Sequence, residues 1–171
     1  MKNINSFDEL AEKYKFFLFD QWGVLHNGHK KFDHAEKCLI RLRELKKKII
    51  LISNSSRPTK YSISNLSKIG FKKNLYDYCI TSGQIALNNI KKDIYKNYGS
   101  KCYPIKLSSE KIKYFNLKIS KKIENANFAM IADIPNNLSI IDFAKILDRL
   151  LKNRLPLLCS NPDYLVYDNK K

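Results

Sequence analysis

Short apolar runs punctuate the chain, and each of the first two stops on a small polar or acidic residue. Phe16-Phe17-Leu18-Phe19 runs into Asp20, and Ile49-Ile50-Leu51-Ile52 runs into Ser53-Asn54. Four apolar residues without polar alternation predict a buried strand of a parallel sheet between helical layers. Between the two runs, Ala35, Leu39, Leu42 and Leu45 recur at spacings of four and three, which predicts one face of a helix. Asp33 and Glu36 read as a capping-box variant at its start. Strand, loop, helix and strand make a βαβ unit, right-handed if both strands share a sheet. Pro58 suits the first turn of the next helix and Gly70 its end. Tyr78-Cys79-Ile80 predicts a third strand, and Thr81-Ser82-Gly83 caps a helix running through about Ile90.

From Lys91 to about Ser120 the chain becomes more polar, and Pro104 assigns Tyr103-Pro104-Ile105 to a sheet edge. Phe128 to Ala132 reads as a strand. Ser139 caps a helix whose apolar positions are Ile140, Phe143, Ile146, Leu147 and Leu150, and Leu155 to Cys159 forms a last strand. The pattern is that of an α/β protein, with a boundary near residue 84 where a first unit gives way to an inserted one.

Composition narrows the setting. Hydrophobic residues make up 44% of 171 positions, enough for a packed core. No apolar stretch approaches the ~18 residues of a membrane span. Met1 to Lys15 is polar, without the apolar centre of a secretory signal, so a cytoplasmic protein without membrane partners is expected. The formal net charge of +16 invites a nucleic-acid reading, yet only five of the 32 basic residues are arginine. Lysine, asparagine and isoleucine are abundant together, as in an AT-rich coding sequence, and no aromatic-basic platform is present, so no nucleic-acid partner is expected. A basic surface also attracts small anions. Cys38, Cys79, Cys102 and Cys159 form no C-x-x-C pair and read as buried reduced thiols. His26, His29 and His34 lack metal-site spacing.

The two strand ends carry the chemistry. Asp20, at a strand terminus, is placed to act as a covalent nucleophile toward a phosphoryl group. A carboxylate beside an anionic substrate calls for a hard cation, and Mg²⁺ suits it. The Ser53 hydroxyl, Asn54 and the N-terminus of the helix near Pro58 would cradle the phosphoryl oxygens. Gly23 allows a tight turn behind Asp20. Either Asp20 or Ser53 alone would read as a loop cap; their order and spacing favour a site.

The D-x-W-G-V-L-x-x-G block from Asp20 and the I-I-L-I-S-N-S-S-R block from Ile49 resemble motifs I and II of the haloacid dehalogenase superfamily. Thr81-Ser82-Gly83 and Cys159-Ser160-Asn161-Pro162-Asp163 look like those of cap class IIA, the 4-nitrophenylphosphatase and pyridoxal-phosphate-phosphatase type. The resemblance implies a Rossmann-like core over 1–83, incomplete, and an α/β cap over 84–171, truncated at its C-terminal end. It implies Asp20 as nucleophile and metal ligand, the backbone carbonyl of Trp22 as second metal ligand, and Ser53 and Asn54 as phosphate-binding residues. Mg²⁺ is the implied cofactor. Asp163 is either a substrate contact or a turn residue after Pro162.

Two departures qualify the implied activity, a Mg²⁺-dependent hydrolysis of a small phosphorylated metabolite. Phosphatases of the superfamily carry an Asp two residues after the nucleophile as general acid, where this chain has Trp22; general acid help is worth roughly 10²–10⁴-fold. An aromatic residue there resembles the 2-haloacid dehalogenases, which keeps carbon–halogen hydrolysis open, and a non-catalytic phospho-ligand module is a third reading. The superfamily's Lys and acidic motifs would follow the cap, and no Gly-Asp or Asp-Asp pair occurs. The chain is therefore expected to be an N-terminal portion or one half of a split protein, inactive or poorly folded alone, with an apolar sheet edge uncovered. Pairing of two copies through the cap is a further expectation by analogy.

Overall fold

The computed structural model describes residues 7–132 and 138–163. They fall into two units, one holding 7–53 and 59–80, the other 54–58 and the described residues from 81 onward.

In the first unit β1 (Phe16–Asp20) and β2 (Lys48–Ser53) pair in parallel, Phe16 opposite Lys48 and Asp20 opposite Ile52. The sheet order is β1-β2-β3, β3 being Tyr78–Thr81. Helices α1 (Phe7–Lys13), α2 (Asp33–Glu44) and α3 (Thr59–Lys68) belong to the same unit. Ala35, Leu39 and Leu42 of α2 join Ile49, Leu51 and Leu66 in one core, with Phe17 and Phe19 packed against it. The alternate residues of the strands face the other way. Phe16 and Leu18 are each 62% exposed, and Ile52, Tyr78 and Ile80 are exposed beside them. Burial on both faces, expected from the unbroken apolar runs, is therefore found on one face only.

Asp77 pins the start of β2 from the adjoining segment. Its carboxylate accepts the Ile49 N–H at 2.8 Å, Arg43 Nη1 at 2.8 Å and Lys48 Nζ at 3.2 Å. The capping box expected at α2 does not form. Phe32 occupies the cap position without a side-chain bond, and Glu36 pairs with the Lys31 ammonium instead. A long cation within reach competes with a main-chain amide for the same carboxylate.

The second unit holds a four-stranded parallel sheet in the order β5-β4-β6-β7. Its members are β4 (Lys101–Pro104), β5 (Lys118–Ile119), β6 (Phe128–Ile131) and β7 (Leu157–Cys159). Every residue of β6 is buried. Phe128 and Met130 enter a core with Ala86, Ile90, Cys102 and Phe115. Ala129 and Ile131 enter another with Ile105, Ile123 and Leu150. Ala86 comes from α4 (Ser82–Asn89), Ile90 from its π-helical continuation (Ile90–Ile94), Phe115 from α6 (Ser109–Phe115) and Leu150 from α7 (Ile140–Lys152), while Cys102 lies on β4, Ile105 just after it and Ile123 in a short 3-10 turn (Ile123–Asn125); a single turn, α5 (Tyr95–Asn97), ends the continuation.

Several expectations need correction here. β4 lies between β5 and β6 rather than at an edge, because Pro104 takes its last position and the Ile105 N–H resumes pairing with the Met130 carbonyl at 2.9 Å. Ile140 is 77% exposed, since α7 turns Phe143, Ile146, Leu147 and Leu150 toward the core. Cys159 is exposed; all four cysteines are free thiols. The caps at Thr81 and Ser139 form as expected, accepting the N–H of Gln84 and Asp142. Among the described residues no helix is long and apolar enough to cross a membrane.

Candidate active site

The parallel register fixes the starting geometry. Asp20 lies opposite Ile52, so the Asp20 carboxylate and the Ser53 hydroxyl stand at the carboxyl ends of adjacent strands. Open α/β sheets present ligand groups at these ends. Asp20 is exposed and Ser53 half-buried. The Gln21 N–H donates to Asp20 Oδ1 at 2.7 Å, which holds one carboxylate oxygen as the chain leaves the strand.

The segment after Asp20 folds back tightly. The Gln21 carbonyl accepts the N–H groups of Val24, Leu25 and His26 at 3.4, 2.9 and 3.2 Å, while the Gly23 N–H reaches the His26 carbonyl at 2.8 Å. Gly23 has φ +79°, a conformation that disfavours a side chain. Gly28 has φ +91°, and a Cβ there would lie 2.3 Å from the Trp22 indole. The glycine therefore makes room for Trp22, whose ring meets His26 edge-on at 5.9 Å.

His26 is buried, and its Nδ1 accepts the Gly28 N–H at 3.0 Å. Burial lowers its pKa, opposed by the Asp20 carboxylate, so the ring is neutral at pH 7 with its proton on Nε2.

In the second unit, Asn54 Nδ2 donates to both oxygens of Asp163 at 3.0 and 3.2 Å. The Asp163 N–H reaches Asn161 Oδ1 at 3.0 Å, so Pro162 sits inside an Asx turn. The Ser82 hydroxyl donates to the Asn54 and Ser55 carbonyls at 2.8 and 3.0 Å, and Thr81 Oγ1 to the Arg57 carbonyl at 2.8 Å. The segment after β2 is thus held by the cap of α4. Gly83 is required there, because a Cβ would stand 2.2 Å from the Ser56 carbonyl oxygen.

The candidate residues group in two places. Asp20, Trp22 and Ser53 belong to the first unit, Asn54 and Asp163 to the second. Asp20 and the Trp22 carbonyl suit part of a hard-cation shell by donor chemistry. Among the described residues no cluster of three or more His, Cys, Asp or Glu side chains could hold a metal. Sequence reading missed Gln21, a buried amide beside the exposed carboxylate, and Lys111. Burial, and then the Arg57 cation, push the Lys111 pKa down to about 8. Neither carries a local spacing signal.

A family model described as haloacid dehalogenase-like hydrolase matches residues 17–113, from β1 through α6. The chain belongs to this family. Solved structures similar to this chain include a haloacid dehalogenase-like hydrolase from Brucella suis, 28% identical with a TM-score of 0.78, over 96% of this chain and 62% of that one. A 4-nitrophenylphosphatase from Thermotoga maritima is 17% identical with a TM-score of 0.65, over 94% and 60%. A glycerol phosphate phosphatase from Mycobacterium tuberculosis in complex with magnesium is 16% identical with a TM-score of 0.63, over 94% and 48%. The chain spans less than two thirds of the length of each. No curated protein sequence matches it.

Proposed function

We propose that this hydrolase is the nucleophile-bearing portion of a divalent-metal-dependent phosphatase of small phosphomonoesters, with a class IIA cap beginning near residue 84. The observation that carries the reading is the register that sets the Asp20 carboxylate and the Ser53 hydroxyl at neighbouring strand ends. Phosphatases among the structural neighbours support it.

In the reaction an Asp20 carboxylate oxygen attacks phosphorus and the ester P–O bond breaks, leaving an aspartyl-phosphate. Water then attacks that phosphorus, releasing phosphate and returning the carboxylate. Ser53 is the residue of this unit that would hold a phosphoryl oxygen, while Asn54, the other phosphate-binding candidate, donates its amide to Asp163. A Mg²⁺ ion, held by Asp20 and the Trp22 carbonyl, would offset the charge gathered there. The departing oxygen needs a proton that an indole at Trp22 does not give, and His26, kept neutral by burial on the same loop, does not give one either, so the leaving group takes its proton from water and turnover is slow.

The test is Asp20→Asn in the full-length protein, assayed for phosphate release from p-nitrophenyl phosphate with Mg²⁺. Turnover falls by on the order of 10³-fold or more while the melting temperature holds. Turnover retained in the folded variant overturns the proposal.

A further inference from the structure

We infer that Gln21 is a positioning residue for the Asp20 carboxylate, locked in place by Ser62 and Cys79; the inference rests on Asp20 being the nucleophile. Gln21 is only 3% exposed, although the residues on either side of it, Asp20 and Trp22, are exposed. Its amide closes a ring of three groups. Ser62 Oγ of α3 donates to Gln21 Oε1 at 2.8 Å, and Gln21 Nε2 donates to Cys79 Sγ of β3 at 3.4 Å. The thiol in turn donates toward Ser62 Oγ at 3.8 Å. Each group gives to the next, so the bonds reinforce one another. Burial pushes the Cys79 thiol pKa up, which keeps the proton that the ring requires.

A buried amide is costly unless both its ends are bonded, and an aliphatic side chain would have filled the space without that cost. What an aliphatic residue would not do is fix the main chain at this point from two other elements. The Gln21 N–H holds Asp20 Oδ1 and the Gln21 carbonyl gathers three N–H groups of the following turn. Any rotation of residue 21 therefore moves the attacking carboxylate and the loop bearing the Trp22 carbonyl together. In-line attack tolerates little of this, since a displacement of about 1 Å costs on the order of 10²-fold in rate.

The experiment uses the full-length protein with p-nitrophenyl phosphate and Mg²⁺, comparing wild type with Gln21→Met, Ser62→Ala and Ser62→Thr. Melting temperature and affinity for beryllium trifluoride, a mimic of the acyl-phosphate, are measured alongside. In Gln21→Met kcat falls by about 10²-fold at unchanged KM, with weakened beryllium trifluoride capture. In Ser62→Ala it falls about tenfold, the rate equivalent of one hydrogen bond. Ser62→Thr, which keeps the hydroxyl, restores wild-type kcat. A purely structural role would lower the melting temperature of both damaged variants and leave kcat per folded molecule at the wild-type value, which overturns the inference. If Gln21→Met does not fold, Ser62→Ala and Ser62→Thr decide it. A wild type inert toward both probes overturns the nucleophile reading itself, and this role with it.

Discussion

The two parallel sheets follow one grammar and end in different states. In the second unit β6 sends Phe128 and Met130 into one core and Ala129 and Ile131 into another, so both faces are covered. In the first unit β1 sends Phe17 and Phe19 into a core, while Phe16 and Leu18 stand 62% exposed. The sequence of β1 is as apolar as that of β6, with four such residues in a row. Composition thus prepares both faces of a strand for burial, and only the presence of a second layer decides whether burial happens.

The sharpest test of the covered sheet is Phe128→Ala. Phe128 is fully buried, so the substitution costs about 3–5 kcal/mol through lost transfer energy and a cavity. Denaturant unfolding followed by hydrogen exchange should show the loss in β4, β6 and β7; protection unchanged in those strands would deny that β6 is their keystone.

A smaller effect is expected from the Asp77 anchor at the start of β2. The Ile49 N–H bond, aided by Lys48 and Arg43, holds the Asp77 carboxyl below the usual carboxylate range despite the opposing cost of burial. A depressed pKa adds stability above the unfolded value of about 3.9, and the gain disappears as pH falls through the lower native value. Asp77→Ala should cost about 2 kcal/mol at pH 7. Its penalty should shrink in acid below about pH 4, and a penalty that is flat with pH would mean the carboxylate charge contributes nothing.

The smallest effect belongs to the bare face while it stays uncovered, and it is the one that separates the two sheets. In residues 1–171 alone, Leu18→Ser should shift stability by less than about 0.5 kcal/mol, because the side chain is already in water. Where a second layer covers the face, the same change should cost about 2–3 kcal/mol. Equal effects in both contexts would leave that face solvent-exposed by design.

What the residues alone made legible was local. Thr81 and Ser139 cap their helices by bonding an N–H three residues on, and such contacts are encoded within a single turn. The stops of β1 at Asp20 and β2 at Ser53 were equally readable, since an apolar run meets a polar residue there. The Asp33–Glu36 box failed because Lys31 offered Glu36 a stronger partner, a competition invisible to a motif. Gln21 went unread for a related reason. Its partners Ser62 and Cys79 lie 41 and 58 residues away, and no spacing rule connects them.

The sequence by itself determined β1, β2, β3, β6 and β7, the helices α2, α3, α4 and α7 and the polar groups at their ends, because periodicity and capping act over a few residues; α1, α6 and β5 are too short to carry such a signal. Tertiary structure decided the strand order, the interior place of β4 and the choice of which apolar face stays bare. Those depend on partners brought together across the chain, where packing and pairing, not local preference, set the free energy.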